Sequence, residues 1–163
     1  MLHLQDHIVE ISNLLDNAIS FVNFFSETDE HHIILRKSLM NLKRKAMIQL
    51  RLIGVEINSL QSKYSSTKNQ SAVIYSVAKK DMDKLKQFYT MLEKLQYDLR
   101  CLELQYSSYI PMIKDVISRL ITSFGIFEIP MMKLELEITD IMWICAKESF
   151  IKTKPYIKNL KEE

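Results

Sequence analysis

The sequence predicts an all-α protein, an elongated helical bundle built on a long antiparallel helical hairpin with additional shorter helices. Three observations lead there. Apolar residues recur at alternating spacings of three and four along most of the chain, which is the spacing of a helix face. Only 2 glycines and 3 prolines occur in 163 residues, too little punctuation for the hairpins of a β-sandwich or barrel. A single long polar stretch, Ser62 to Ser71, separates the two longest apolar stripes and reads as the turn between them. The length suits one domain over 1–163, and 47% hydrophobic with 26% charged residues is the balance of a folded soluble chain.

Residues 1–25 are expected to form an acidic amphipathic helix. Leu4, Ile8, Ile11, Leu15, Ala18, Val22 and Phe25 share one stripe of it, which Leu14 and Phe21 widen. The following SETDE, Ser26 to Glu30, combines cap residues with acids suited to a helix N-terminus, so a second helix should start between Asp29 and His31. Its inward stripe runs Leu35, Leu39, Leu42, Ala46, Leu50, Ile53, Ile57, Leu60, Tyr64, a mean spacing of about 3.6 that matches the helical repeat. The hairpin occupies 31–109, with arms 31–65 and 70–109 and a polar tip near Ser65 to Lys68.

The second arm keeps a strict four-three seam through Leu85, Phe88, Leu92, Leu95, Leu99, Leu102, Tyr106 and Tyr109. Tyr89, Met91, Gln96 and Gln105 flank the seam where a two-stranded zipper would carry complementary charges, so packing among several neighbours fits better. Shorter helices are expected over 110–150. Pro111 suits the first turn of one, Ile113, Val116, Ile117, Leu120, Ile121 and Phe124 make its stripe, and Gly125 ends it.

The segment KLELEIT, Lys133 to Thr139, alternates as a half-buried strand does. With no second strand to pair it, its backbone groups would go unsatisfied, so it is read as helix. That helix has two apolar faces, Met131, Leu134, Ile138, Ile141 and Cys145 on one, and Met132, Leu136, Trp143 and Phe150 roughly opposite. The second face is core if the helix is central and a partner-binding surface anchored by Trp143 if it is not. Residues 151–163 form a basic tail.

Charge changes sign abruptly along the chain, although the formal net charge is only +2. Asp6, Glu10, Asp16, Glu27, Asp29 and Glu30 are the charged residues of the first 35, apart from His, whereas Arg36, Lys37, Lys43, Arg44, Lys45 and Arg51 follow without an acid among them. At 100° per residue Lys37, Arg44 and Arg51 form one line on the second helix and Arg36 and Lys43 the adjacent line, both clear of the inward stripe. Two targets fit them. One is the acidic first helix folded back antiparallel; the other is an anionic membrane, where each base near the surface contributes on the order of 1 kcal/mol and Met40 and Met47 would lie among the bases. Nucleic acid is disfavoured, because this face lacks stacking aromatics and no helix-turn-helix spacing occurs.

Chemistry-bearing patterns are sparse. His3 and His7 make an i, i+4 pair near the N-terminus, but a zinc site needs a third and fourth ligand. No Glu-x-x-His exists for a ferritin-like di-iron site. The carboxylate pairs Glu27 with Glu30 and Glu137 with Asp140 resemble the magnesium-holding pattern of all-α pyrophosphohydrolases, yet more than a hundred residues separate them. There is no Gly-rich phosphate loop, and no histidine after His32 to activate a nucleophile. The expectation is therefore a protein that is not an enzyme, with no catalytic residues, metal, cofactor or small-molecule substrate. Cys101 and Cys145 do not make a disulfide framework, which suits a reducing, cytoplasmic setting. No apolar run reaches the roughly 20 residues of a membrane span, and MLHLQDHIVE lacks the basic start of a signal peptide.

Taken in order, the segments resemble the ESCRT-III family, the charged multivesicular body proteins. LRKSLMNLKRKAMIQLRLIGVEINSLQSK is similar to that family's basic first core helix, and SAVIYSVAKKDMDKLKQFYTMLEKLQYDLRCLELQ to its long second arm, including the Ala78-Lys79 step. FEIPMMKLELEITDIM is similar to its linker into a later helix, so the likeness covers about residues 33 to 150. The resemblance implies a self-assembling, membrane-remodelling subunit, cytoplasmic and peripheral on anionic membranes, with Arg36, Lys37, Lys43, Arg44 and Arg51 toward lipid. The competing expectation is a soluble helical adaptor, chaperone or inhibitor that binds one protein partner through Met132, Leu136, Trp143 and Phe150.

Overall fold

The computed structural model describes residues 4–25, 30–65 and 73–162, with side chains in those ranges except 24, 25 and 151–162. The described residues are all-α. Five helices, α1 (Leu4–Phe25), α2 (Glu30–Tyr64), α3 (Tyr75–Tyr106), α4 (Ile113–Gly125) and α5 (Glu128–Glu162), make up most of them, with no strand among the described residues. One hydrophobic cluster holds residues of all five. The nine inward positions of α2 from Leu35 to Tyr64 are all buried, as are Leu4, Ile8, Ile11, Leu15, Ala18 and Val22 of α1. Phe25 of that stripe and most of the expected hairpin tip lie outside the described side chains.

Side-chain pairs fix the helix directions. Along α2, Arg36 reaches Asn23, Lys43 reaches Asp16, and Gly54 lies under Ile8, so α1 runs antiparallel to α2 over its N-terminal two thirds. On another flank Lys45 meets Asp98 at 3.5 Å, Glu56 meets Lys84 at 3.4 Å, and Tyr64 meets Asp81 at 2.5 Å, so α3 is antiparallel to α2 as well. Helix α5 then returns along α3, with Glu135 beside Tyr89 and Cys145 beside Val73, just before α3, and its first turns also touch the end of α2. The short α4 packs against α1 and α3. Its Ile113, Ile117, Leu120 and Phe124 are buried as the stripe requires, and it stops at Gly125 without a left-handed residue.

Two expectations are corrected. Tyr109 does not continue the α3 seam: the helix ends at Tyr106, and Tyr109 is 54% exposed in the following turn, stacked on His31 with ring centroids 4.0 Å apart. Ile110 precedes Pro111, and the proline ring disfavours the helical conformation there, so the chain turns before it. The helix expected after Gly125 is not short and does not stop before a separate tail: it runs 35 residues, continues through 151–162 and holds Pro155 inside it. Pro130 itself sits in the first turn, where a missing N–H costs no helical hydrogen bond.

Gly54 is buried mid-helix at the crossing of α1 and α2, and a Cβ placed there would meet Ile8 Cδ1 at 3.5 Å, an ordinary contact. Glycine costs helix propensity without being needed for space at this position. Gly54→Ala is expected to raise stability by about 0.5–1 kcal/mol in urea titrations followed by circular dichroism. A loss instead would mean that α1 lies closer than this geometry.

Candidate functional site

The two lines of bases on α2 meet different surroundings. Arg36 donates to Asn23 Oδ1 at 2.9 Å, Lys43 pairs with Asp16, and Lys45, on a third side, pairs with Asp98. These are contacts within the protein. Lys37, Arg44 and Arg51 are exposed and have no hydrogen-bond or ion-pair partner among the described residues. The acids Asp6 and Glu10 are on α1, where Glu10 lies 3.6 Å from His7 and not against these bases.

Three aliphatic side chains share that outer line. Ile48, Leu52 and Val55 are 66%, 51% and 66% exposed. On a helical projection they and Lys37, Arg44 and Arg51 fall within a sector of about 100°, opposite the buried stripe. Met40 is also exposed, at the edge of this sector, but Met47 is not among the bases as the sequence reading placed it: it is buried on the flank that α1 covers. Ile48, Leu52 and Val55 follow from the same helical spacing that aligns the three bases. Isolated exposed aliphatics are ordinary; three on one helix line with three cations that have no partner among the described residues make a mixed basic and apolar surface.

The outer face of α5 is the second feature. Met132, Leu136, Trp143 and Phe150 are 57%, 69%, 72% and 60% exposed, while Met131, Leu134, Ile138 and Ile141 behind them are buried. Helix α5 therefore lies at the edge of the bundle and presents its second stripe outward. Ile129, 60% exposed, extends that stripe by a turn. Beside it an open groove of about 440 Å³ runs between α3 and α5, lined by Tyr75, Met82 and Lys86 on one side and Thr139, Trp143 and Ala146 on the other.

Tyr64 and Asp81 are partners inside the bundle. Tyr64 Oη donates to Asp81 Oδ2, and Lys63 Nζ reaches the same oxygen at 2.8 Å. Burial, and then the Asp81 carboxylate, raise the Tyr64 pKa and keep its hydroxyl protonated. The hydroxyl of Tyr89 is buried without a hydrogen bond of good geometry, and burial followed by the Glu135 carboxylate pushes its pKa up to about 12. Neither group lines the groove between α3 and α5.

Of the sequence's metal candidates, His3 and Glu27 lie outside the described residues, His7 faces Glu10, Glu137 is half-buried and Asp140 exposed. Among the described residues no three His, Cys, Asp or Glu side chains gather as a metal site, and none of the described helices is long and apolar enough to cross a membrane. Cys101 and Cys145 are free thiols, the second half-buried with its Sγ 3.6 Å from the Val73 carbonyl oxygen. No protein-family model matches the chain, and no curated protein or solved structure is significantly similar to it.

Proposed function

We propose that the protein is a non-enzymatic helical subunit, ESCRT-III-like in its manner of action, that lies on anionic membranes through the outer face of α2. The observation that carries this reading is the line of Lys37, Arg44 and Arg51, without acidic partners among the described residues, interleaved with exposed Ile48, Leu52 and Val55. From Lys37 to Val55 the line is about 27 Å long at 1.5 Å per residue, so a helix lying flat brings all six side chains to the interface together. The cations meet lipid phosphates, with the arginines offering forked donors, while the aliphatic side chains enter the boundary of the acyl region. Each base contributes on the order of 1 kcal/mol, and neither set alone makes a firm attachment.

Co-sedimentation with vesicles of phosphatidylserine and phosphatidylcholine tests this. The protein is expected to pellet with them at low salt, to be released as salt shortens the Debye length, and to ignore phosphatidylcholine alone. Lys37→Glu/Arg44→Glu/Arg51→Glu is expected to abolish binding with helicity intact, since the buried stripe is untouched. Lys43→Glu should do the opposite, keeping most binding but losing stability by facing Asp16 with a like charge. Wild-type protein left in the supernatant would remove the membrane reading and favour a second one, a soluble adaptor, chaperone or inhibitor, for which the 72% exposure of Trp143 is the supporting observation.

A further inference from the structure

We infer that the outer face of α5 is where two copies of this chain pair, antiparallel and about a two-fold axis. The inference rests on α5 alone and stands apart from the membrane reading of α2.

Ile129, Met132, Leu136, Thr139, Trp143 and Ala146 step by three and four without a break, the seam that receives one further helix. The four largest of them are each more than half exposed, at 60%, 57%, 69% and 72%, so the chain's own helices leave this seam open. Met131, Leu134, Ile138 and Ile141, on the inner stripe of the same helix, are buried in the core. A knobs-into-holes seam accepts a helix with matching spacing, and α5 itself has that spacing.

Charge and size select the register. Lys133 and Asp140 flank the seam on one side, both exposed and without an ion-pair partner among the described residues. Seven residues apart, they are separated by about 10.5 Å along the helix and do not pair within one chain. In an antiparallel pair with Leu136 opposite the partner's Thr139, Met132 lies opposite the partner's Trp143 and Ile129 opposite the partner's Ala146. Small residues then face large ones for two of the three layers. Between the first two layers Lys133 comes beside the partner's Asp140, and the two-fold repeats the contact with Asp140 beside the partner's Lys133. A parallel, in-register pair sets Glu135 beside the partner's Asp140, where like charges repel, and stacks Trp143 on its own copy. Charge complementarity thus favours the antiparallel arrangement, with Trp143 as the large anchor near each end of the contact.

Sedimentation equilibrium of the full chain, under reducing conditions because Cys101 is exposed, tests the pairing. The wild type is expected to be a dimer. Lys133→Asp and Asp140→Lys should each loosen it by about tenfold or more, because either change turns both symmetric contacts repulsive. Combining them, Lys133→Asp/Asp140→Lys, should bring the dimer back to within about threefold of wild type, which only a Lys133-to-Asp140 contact between chains achieves. Trp143→Ala should loosen it by about thirtyfold, with unchanged helicity by circular dichroism as the sign that the fold is intact. A wild type that stays monomeric, or that gains mass only on addition of an unrelated amphipathic helix, overturns the inference. So does a charge-swapped double variant that remains as weak as the single ones.

Discussion

Leu92→Ala or Leu95→Ala is expected to lower stability by about 2–5 kcal/mol, measured as a shift of the urea midpoint with the slope unchanged. Both side chains are fully buried on α3, the helix that touches α2, α4 and α5, so removing either leaves a void that several helices would have to move together to close. A domain of this size has about 5–15 kcal/mol in total, so the loss is a large share of it. Tyr97→Ala serves as the control. It lies on the same helix but is 67% exposed, and its removal should change stability by about 0.5 kcal/mol or less. If the leucine variants behave like the Tyr97 variant, the α3 seam is not the centre of the core.

Asp81→Ala should be nearly as damaging, at about 3 kcal/mol, for a different reason. The carboxylate is 6% exposed and is the acceptor for both Tyr64 Oη and Lys63 Nζ, which join the end of α2 to the start of α3. Removing it takes away the hydrogen bond that the buried Tyr64 hydroxyl donates to it. Lys63 is 37% exposed and can turn to water, so most of the loss belongs to Tyr64. Tyr64→Phe alone should cost about 1–2 kcal/mol, since Asp81 keeps Lys63. Tyr64→Phe/Asp81→Ala should then cost clearly less than the two single losses added, because both delete the same hydrogen bond. Strict additivity in this cycle would show that the two groups do not depend on each other.

This polar contact was not legible in the sequence. Tyr64 closes the apolar stripe of α2 and counts by its spacing as one more inward residue, while Asp81 falls three residues after Ala78 among charged neighbours and looks like surface. Burial of an acid is decided by what covers it, and what covers Asp81 comes from another helix. Tyr109 failed in the other direction. The four-three pattern runs through it, yet the conformational demand of Pro111 ends the helix first, so a local steric rule overrode the hydrophobic spacing. The candidate site divides in the same way. That Lys37, Arg44 and Arg51 form a line followed from helical geometry, as did the opposition of the two apolar faces of α5. That Arg36 and Lys43 would find Asn23 and Asp16, while the other line has no partner among the described residues, did not follow from it.

The sequence by itself determined the all-α class, the inward stripes of α1 and α2 and the start of α2 near Glu30, because helical periodicity and capping are local and relate residues only three or four positions apart. Tertiary structure alone decided which faces stay open. Lys43 and Asp16 are 27 residues apart, and their meeting depends on the side of α2 that α1 occupies. Trp143 is exposed because α5 sits at the edge of the bundle, with α2 and α3 behind it. A helix face is described by its own residues, but its burial is set by the arrival of another helix, and nothing in the spacing of one helix records where the others lie.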